Sequence, residues 1–299
     1  MKINRFKKIA IITLVVVISG ISIYGISFED KNKLTQEGTV YYSPATVDFA
    51  GESAPLQIAD VNERFDRELL INANLHASTI LIIKRANRVF PIIEPILKNN
   101  GVPDDFKYLA VIESALTNAV SSAGARGVWQ FMPETAKGIG MEVSETVDER
   151  YHLEKSTEAA CKYLLSAKAK FGSWTLAAAS YNGGMNGVNK QIEMQKVSNY
   201  YDLLLNEETS RYVFRILALK EIMKNPEKYG FTIPDHELYA LLPSKNIEVD
   251  STISDLADFA KNQGINYKIL KIHNPWLRDK KLDNANKKKY SINIPLDGY

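Results

Sequence analysis

The fold is decided by residues 104–133, which read DDFKYLAVIESALTNAVSSAGARGVWQFMP. In the first part of this stretch, Phe106 and Leu109 lie seven and four positions before Glu113. The spacing predicts a helix over residues 104–114 with Glu113 on its buried face. A carboxyl group that loses its hydration has a raised pKa and can stay protonated near neutral pH, as a general acid requires. The alternative is a glutamate at a helix end whose carboxylate turns outward to water.

The loop that follows, residues 121–133, begins with small residues and becomes abruptly bulky. Its glycines permit a ligand to approach the backbone closely. Gln130 has both a donor and an acceptor for a sugar amide or hydroxyl group. Trp129 and Phe131 offer flat apolar faces, although each residue taken alone indicates a place in the core. The pattern therefore favours a ligand-binding loop directly after the candidate acid.

The sequence around this stretch predicts a mostly helical domain over residues 86–232. Apolar spacing and turn signals predict helices at residues 156–170, 175–181 and 207–223, and strand signals are few. Residues 61–100 also show helical spacing. Residues 29–60 have no sustained period and are interpreted as a stalk. Residues 29–85 are thus expected to form a stalk and an N-terminal helical extension.

A second, smaller unit is predicted at residues 246–299, after a linker at residues 233–245. Alternation predicts strands at residues 245–249 and 290–294, and helical spacing predicts helices at residues 252–262 and 266–272. The simplest interpretation is a β-α-α-β unit. The expected fold class is therefore mainly α, with a small mixed unit at the C-terminus.

The N-terminal segment, residues 1–28, predicts export. Residues 9–28 carry no charge, and a helix of this length would reach about 30 Å, the thickness of a bilayer core. Basic residues precede it, and Glu29 and Asp30 follow it, which predicts that the remainder of the chain is exported. A membrane anchor and a cleaved signal peptide are both open. The expected location is the outer face of a bacterial membrane, on the periplasmic side, tethered by this helix.

Composition excludes several other classes of protein. The chain has 37 Lys and Arg against 35 Asp and Glu, which disfavours a nucleic-acid-binding protein. With a single cysteine, Cys161, no intramolecular disulfide can form. The four histidines are scattered without ligand spacing, so we expect no metal and no organic cofactor. The acids Glu134, Glu142 and Asp148 are interpreted as surface charges, which leaves Glu113 as the single catalytic candidate.

Four motifs in a fixed order carry a resemblance to a known family. They are Glu113-Ser114, then GVWQFMP at residues 127–133, SYNGG at residues 180–184 and ETSRYV at residues 208–213. This set resembles the lytic transglycosylase family of lysozyme-like enzymes, especially the membrane-bound murein transglycosylase D type, over roughly residues 86 to 230. The third motif usually reads Ala-Tyr-Asn and here begins with Ser180. The resemblance implies a lysozyme-like helical catalytic domain.

The resemblance also assigns residues. Glu113 matches the single catalytic acid and base of the family. The substrate-binding positions that it implies are Ser121 (with Ser122 adjoining it), Gln130, Met132, Tyr163, Tyr181, Asn182 and Tyr212. The implied substrate is the peptidoglycan strand. The implied reaction cleaves the bond between N-acetylmuramic acid and N-acetylglucosamine without water and leaves a 1,6-anhydro sugar.

Two other functions are weighed against this one. A hydrolytic lysozyme on the same fold would admit water in place of the sugar's own C6 hydroxyl group. A non-catalytic wall-binding scaffold would have no need of Glu113 together with every companion motif. The C-terminal unit resembles a LysM peptidoglycan-binding module, although lysines crowd the loop before its last strand, residues 280–289. Glycan binding and a purely structural role are both open for this unit.

Overall fold

A computed structural model of the protein describes residues 42–297. These residues form a helical body followed by a small unit of two strands and two helices, which confirms the predicted fold class. From Ser43 onward the chain is one compact unit. The elements are β1 (Asp48–Phe49), β2 (Glu52–Ser53), α1 (Ala59–Asn74), α2 (His76–Asn99), α3 (Lys107–Ser114), α4 (Pro133–Gly138), α5 (Leu153–Phe171), α6 (Trp174–Gly183), α7 (Met185–Gln195), α8 (Glu207–Lys224), β3 (Ser244–Val249), α9 (Leu256–Asn262), α10 (Tyr267–His273) and β4 (Tyr290–Pro295).

Helix α3 lies inside the hydrophobic core of the body. Seven of its eight residues are buried, and Glu113 is the one that keeps partial exposure. The helix packs against α2 and α8. The helix predicted at residues 104–114 begins as a 3-10 turn, Asp104–Phe106, and continues as α3. The predicted burial of Phe106 and Leu109 is confirmed, since neither side chain has exposed surface.

The other predicted helices of the body are confirmed to within three residues at each end, as α5, α6 and α8. Their ends follow local chemistry. The hydroxyl oxygen of Ser173 accepts a hydrogen bond from the Leu176 amide at the start of α6, and the Asn206 side chain accepts one from the Thr209 amide at the start of α8. Helix α5 ends at Gly172, whose φ of +71° suits a glycine.

A hairpin at residues 48–53 departs from the stalk expected for residues 29–60. Phe49 is fully buried and meets Phe106 edge-on, with ring centroids 4.9 Å apart. The Glu52 carboxylate accepts hydrogen bonds from the Trp174 amide at 2.6 Å and the Thr175 amide at 2.9 Å, at the N-terminus of α6. A carboxylate at a helix N-terminus is stabilised by the unpaired amides and the helix dipole. The hairpin is therefore part of the helical body.

The C-terminal unit has the predicted β-α-α-β order. Strands β3 and β4 pair antiparallel, with Ile247 opposite Ile292. Helix α9 starts four residues later than predicted because the Asp255 carboxylate caps it, accepting hydrogen bonds from the amides of Ala257 and Asp258. The hydrophobic cluster of the unit includes Val147 from the helical body. The two parts of the chain therefore share buried surface.

Among residues 42–297, no helix is both long enough and apolar enough to cross a membrane. The predicted anchor or signal peptide at residues 1–28 lies outside the described residues.

Candidate active site

The candidate acid lies at the end of α3, where α8 passes. The residue after the helix, Ala115, has a φ of +51°, so the chain turns away two residues after Glu113. The hydroxyl group of Tyr212, on α8, donates a hydrogen bond to Oε1 of Glu113. Tyr212 is itself buried, with 1% of its surface exposed. The carboxyl group is thus held in one orientation by a side chain that packing fixes in place.

Burial raises the pKa of Glu113 to about 7. The hydrogen bond from Tyr212 and the positive charge of Arg215 act in the opposite direction, and the negative charge of Glu208 adds to the rise. Near neutral pH the carboxyl group therefore exchanges between its protonated and its ionised form. This is the range in which a carboxylic acid can both donate a proton and take one back.

Helix α3 is tied to the loop at residues 116–132, here called the active-site loop, beside Glu113. The hydroxyl group of Ser114 donates to the carbonyl oxygen of Val128 at 2.8 Å. Within the loop, the amide of Arg126 donates to the carbonyl oxygen of Phe131 at 3.1 Å. The amide of Ala125 donates to the side-chain oxygen of Ser121 at 2.9 Å. The structure thus places Ser121 as a hydrogen-bond partner of the loop backbone.

Gln130 occupies a left-handed backbone position, with a φ of +50°. Its side-chain nitrogen donates to the carbonyl oxygens of Ala119 at 3.1 Å and Gly127 at 2.7 Å. The side-chain amide of Gln130, which the sequence offers to a sugar, thus uses its donor nitrogen to support the loop. Met132, two residues on, is 41% exposed.

Three aromatic residues connect α5, α6 and the loop. The hydroxyl group of Tyr181 donates to the carbonyl oxygen of Trp129 at 2.8 Å, and that of Tyr163 donates to the carbonyl oxygen of Ser180 at 2.6 Å. The rings of Tyr163 and Tyr181 meet edge-on at 5.2 Å, and Phe131 lies 5.8 Å from Tyr181. Burial, and then the charge of Glu113, raise the pKa of Tyr181 well above its usual range. Tyr181 therefore stays neutral close to the acid.

Asn182 joins the end of α6 to the start of α8. Its side-chain oxygen accepts a hydrogen bond from the Thr209 hydroxyl group at 2.7 Å, and its side-chain nitrogen donates to the Glu208 carboxylate at 2.9 Å. Glu208 is exposed and acts on the pKa of Glu113. The predicted positions on α3, the loop, α5, α6 and α8 are thus brought into one region of the body.

Asp148 and Arg150 are functional candidates that the sequence did not reveal. Asp148, expected to be a surface charge, is only 2% exposed. It accepts two hydrogen bonds from the Arg150 guanidinium group, from Nε at 2.9 Å and from a terminal nitrogen at 2.7 Å. Arg150 also donates to the carbonyl oxygens of Gly124 and Phe131, at 3.1 and 3.2 Å. The pair therefore clamps both ends of the glycine-rich part of the loop.

Gly127 shows how closely this clamp fits. A Cβ atom at Gly127 would lie 1.8 Å from the carbonyl oxygen of Arg150, and the residue has a φ of +81°. Both facts restrict the position to glycine. Behind the loop, the indole nitrogen of Trp129 donates to Thr157 at 2.8 Å, and the ring is fully buried. The structure confirms that Trp129 belongs to the core.

Among residues 42–297, no group of three or more His, Cys, Asp or Glu side chains is arranged to hold a metal ion. Cys161 is buried, and burial raises the pKa of its thiol to about 12. A thiol with so high a pKa is a poor nucleophile near neutral pH.

Comparison with known proteins identifies both parts of the chain. Residues 90–204 match the family model of the transglycosylase SLT domain, and residues 245–298 match that of the soluble lytic transglycosylase C-terminal LysM-like domain. The chain therefore carries an SLT domain followed by a LysM-like domain, which confirms the resemblance stated from the sequence.

Two curated relatives and one solved structure are similar to the chain. The proteins named membrane-bound lytic murein transglycosylase D of Escherichia coli strain K12 and of Escherichia coli O6:H1 (strain CFT073) are each 29% identical over 235 residues, 76% of this chain and 50% of each relative. The chain thus spans about half the length of these curated relatives. The X-ray structure of an inactive mutant of lytic transglycosylase Slt from Pseudomonas aeruginosa is 22% identical, with a TM-score of 0.36, and covers 50% of this chain and 26% of that chain.

Proposed function

Because the chain carries an SLT domain in which the next-to-last residue of α3 is a glutamate with a raised pKa, we propose that it is a lytic transglycosylase acting on peptidoglycan. The observation that carries the proposal is the raised pKa of Glu113, together with its hydrogen bond from Tyr212. The names of the two curated relatives support the same reaction class and substrate. Peptidoglycan strands are accordingly the proposed partner.

In the proposed first step, protonated Glu113 gives its proton to the oxygen that joins N-acetylmuramic acid to N-acetylglucosamine. The bond between this oxygen and C1 of the muramic acid breaks as the oxygen becomes a hydroxyl group. Tyr212 holds Oε1 of Glu113, so the proton to be transferred is carried by Oε2. A carboxylic acid with a pKa near the working pH is suited to this transfer.

In the second step, Glu113 acts as a carboxylate and takes the proton from the C6 hydroxyl group of the same muramic acid. The C6 oxygen then bonds to C1, which closes a 1,6-anhydro ring and returns Glu113 to its protonated form. Most glycosidases use two carboxyl groups, one as acid and one as base or nucleophile. One group suffices here because the nucleophile belongs to the substrate, and such intramolecular proximity can lower a barrier by about 7–11 kcal/mol.

Ser121, Gln130, Met132, Tyr163, Tyr181 and Asn182 are proposed to shape the sugar-binding surface around Glu113. Hydrogen bonds fix five of them to the backbone or to neighbouring side chains, and Met132 presents an exposed apolar surface. Rigid elements position a site more accurately than free side chains do.

We also propose that residues 1–28 carry the enzyme across a bacterial membrane and tether it on the periplasmic side, in line with the relatives' description as membrane-bound.

Analysis of the products from purified peptidoglycan sacculi tests the proposal. Wild type should release muropeptides ending in 1,6-anhydro-N-acetylmuramic acid, whereas Glu113→Gln should release none and still sediment with sacculi. The matched control is Glu134→Gln, the same chemical change at a carboxylate that is 88% exposed. Products heavier by one water would instead identify a hydrolase. Unchanged turnover by Glu113→Gln would remove Glu113 from its role, and binding without turnover by wild type would favour a scaffold.

A further inference from the structure

Residues 142–151, here called the linking segment, contact both the LysM-like unit and the active-site loop. The backbone of this segment pairs with the C-terminal unit. The Asp148 amide donates to the carbonyl oxygen of Trp276 at 2.9 Å, and the Arg278 amide donates to the carbonyl oxygen of Thr146 at 2.8 Å. Val147, between these bonds, is fully buried in the hydrophobic cluster of the C-terminal unit. The segment is thus bound to that unit by both polar and apolar contacts.

Charged side chains reinforce this contact. The ammonium group of Lys288 donates to the carboxylates of Glu142 at 2.7 Å and Glu149 at 2.8 Å. The hydroxyl group of Tyr290 donates to Glu142 at 2.9 Å. The guanidinium carbon of Arg278 lies 4.2 Å above the ring of Tyr151. Hydrogen bonds to charged groups are the stronger kind, and Glu149 is only 4% exposed.

The linking segment also holds the active-site loop. Arg150 reaches out of the segment to the carbonyl oxygens of Gly124 and Phe131. Asp148 fixes the Arg150 guanidinium group with two hydrogen bonds. The backbone of Arg150 also packs directly against Gly127, where only a hydrogen atom fits. Displacement of the segment would therefore displace the loop that carries Gln130 and leads back to Glu113.

Two large aromatic side chains of the C-terminal unit, Trp276 and Tyr290, are buried where the unit meets the helical body. Trp276 and Tyr290 are 3% and 4% exposed and stack on each other at 5.6 Å. Trp276 also stacks on His152, the residue that precedes α5, at 5.6 Å. These rings are thus committed to the interface and are not presented to a sugar.

From these contacts we propose that the LysM-like unit is a brace for the active-site loop, and that Asp148 and Arg150 are positioning residues through which it acts. The inference rests on the proposed function only for its effect on turnover. Its mechanical part, the coupling of the C-terminal unit to the loop, stands on the contacts alone. Glycan capture by the unit is the competing role.

The test is a double variant of the full chain, Lys288→Met with Tyr290→Phe, which removes three hydrogen bonds to the linking segment and keeps the stacked ring. Loss of such charge-assisted bonds should accelerate hydrogen exchange of the Arg126 and Gly127 amides by about tenfold. Turnover of sacculi should fall by a similar factor, with KM and sedimentation with sacculi unchanged. The matched control is Lys281→Met with Tyr267→Phe. It makes the same two changes elsewhere in the same unit, at Tyr267, which is exposed, and at Lys281, which pairs with Asp283.

A second variant, Arg150→Lys, separates the brace from general destabilisation. It keeps the charge and loses the planar group that reaches Asp148, Gly124 and Phe131 at once. In this variant, amide hydrogen exchange should increase in the active-site loop, while the paired amides of β3 and β4 should stay protected.

Unchanged loop exchange in the Lys288 and Tyr290 variant, or a uniform increase over the whole chain, would overturn the brace. Weaker sedimentation with an unchanged loop would assign glycan capture to the unit. If wild type releases no anhydro product, the proposed function fails, while the exchange data still decide the coupling.

Discussion

Replacement of Glu113 by Gln should stabilise the protein, and the gain should grow as the pH rises. Burial raises the pKa of Glu113 from an ordinary value of 4.5 to about 7, so the folded protein binds this proton more tightly than the unfolded chain does. The resulting stability is fully present below about pH 4.5 and is lost as the pH rises through about 7. Gln stays neutral at every pH and keeps an oxygen that can accept the hydrogen bond from Tyr212.

The size of the effect follows from the two pKa values. An acid whose pKa moves from 4.5 to about 7 on folding costs about 3 kcal/mol of stability well above pH 7. Between about pH 5 and about pH 8, the difference in unfolding free energy between Glu113→Gln and wild type should grow by about 2–3 kcal/mol. This is a large part of the total stability of a typical protein, about 5–15 kcal/mol.

Urea unfolding of both proteins at several pH values in this range measures the difference. Glu134→Gln is the control, because its carboxylate is 88% exposed and the same chemical change there should give no growing gain. A difference for Glu113→Gln that stays constant with pH would show that the carboxyl group is hydrated as in water. That result would refute the argument from burial, and with it the basis for general acid catalysis by this residue.

Two further predictions concern the neighbours of Glu113. Tyr212→Phe removes the hydrogen bond that lowers the pKa of Glu113, so the loss of activity at alkaline pH should move to higher pH. The maximal rate should also fall about tenfold, and a pH–rate profile measures both effects. Gly127→Ala should lower the unfolding free energy by about 3 kcal/mol or more, since the new Cβ atom would lie 1.8 Å from a carbonyl oxygen. Gly124→Ala, at a similar φ of +88° but in open space, should cost only about 1 kcal/mol, and equal losses at the two glycines would contradict the close contact.

The helices of the body could be predicted because their signals are local. The start of α8 is marked by Asn206 and two acids, and the end of α5 by Gly172. The hairpin at residues 48–53 could not be predicted, since strands of two residues are too short to show alternation. Its place in the body depends on Phe49 meeting Phe106, a contact between distant parts of the chain. Periodicity contains no information of that kind.

The residues of the candidate site also separate into those that local sequence predicts and those that depend on distant contacts. The burial of Glu113 follows from helical spacing, and Tyr212 follows from an ordered set of motifs. Asp148 and Arg150 lie two positions apart in a polar stretch, where sequence alone does not separate a buried pair from two surface charges. Their burial depends on carbonyl oxygens that the loop presents and on a C-terminal unit that pairs with the same segment of the backbone. The available signal was Gly127, whose neighbourhood has room for no side chain.

The polar side chains around Glu113 have a common use that bears on catalysis. Ser121, Gln130, Tyr163 and Tyr181 each make a hydrogen bond to the backbone, and in three of them the side chain is the donor. These bonds set the shape of the loop before a substrate arrives, so binding need not order it. A site that is ordered in advance retains more of its binding energy for the transition state, where positioning is needed. Burial raises the pKa of the Glu113 carboxyl group, so the stability lost on burying this acid and its fitness for proton transfer have one cause.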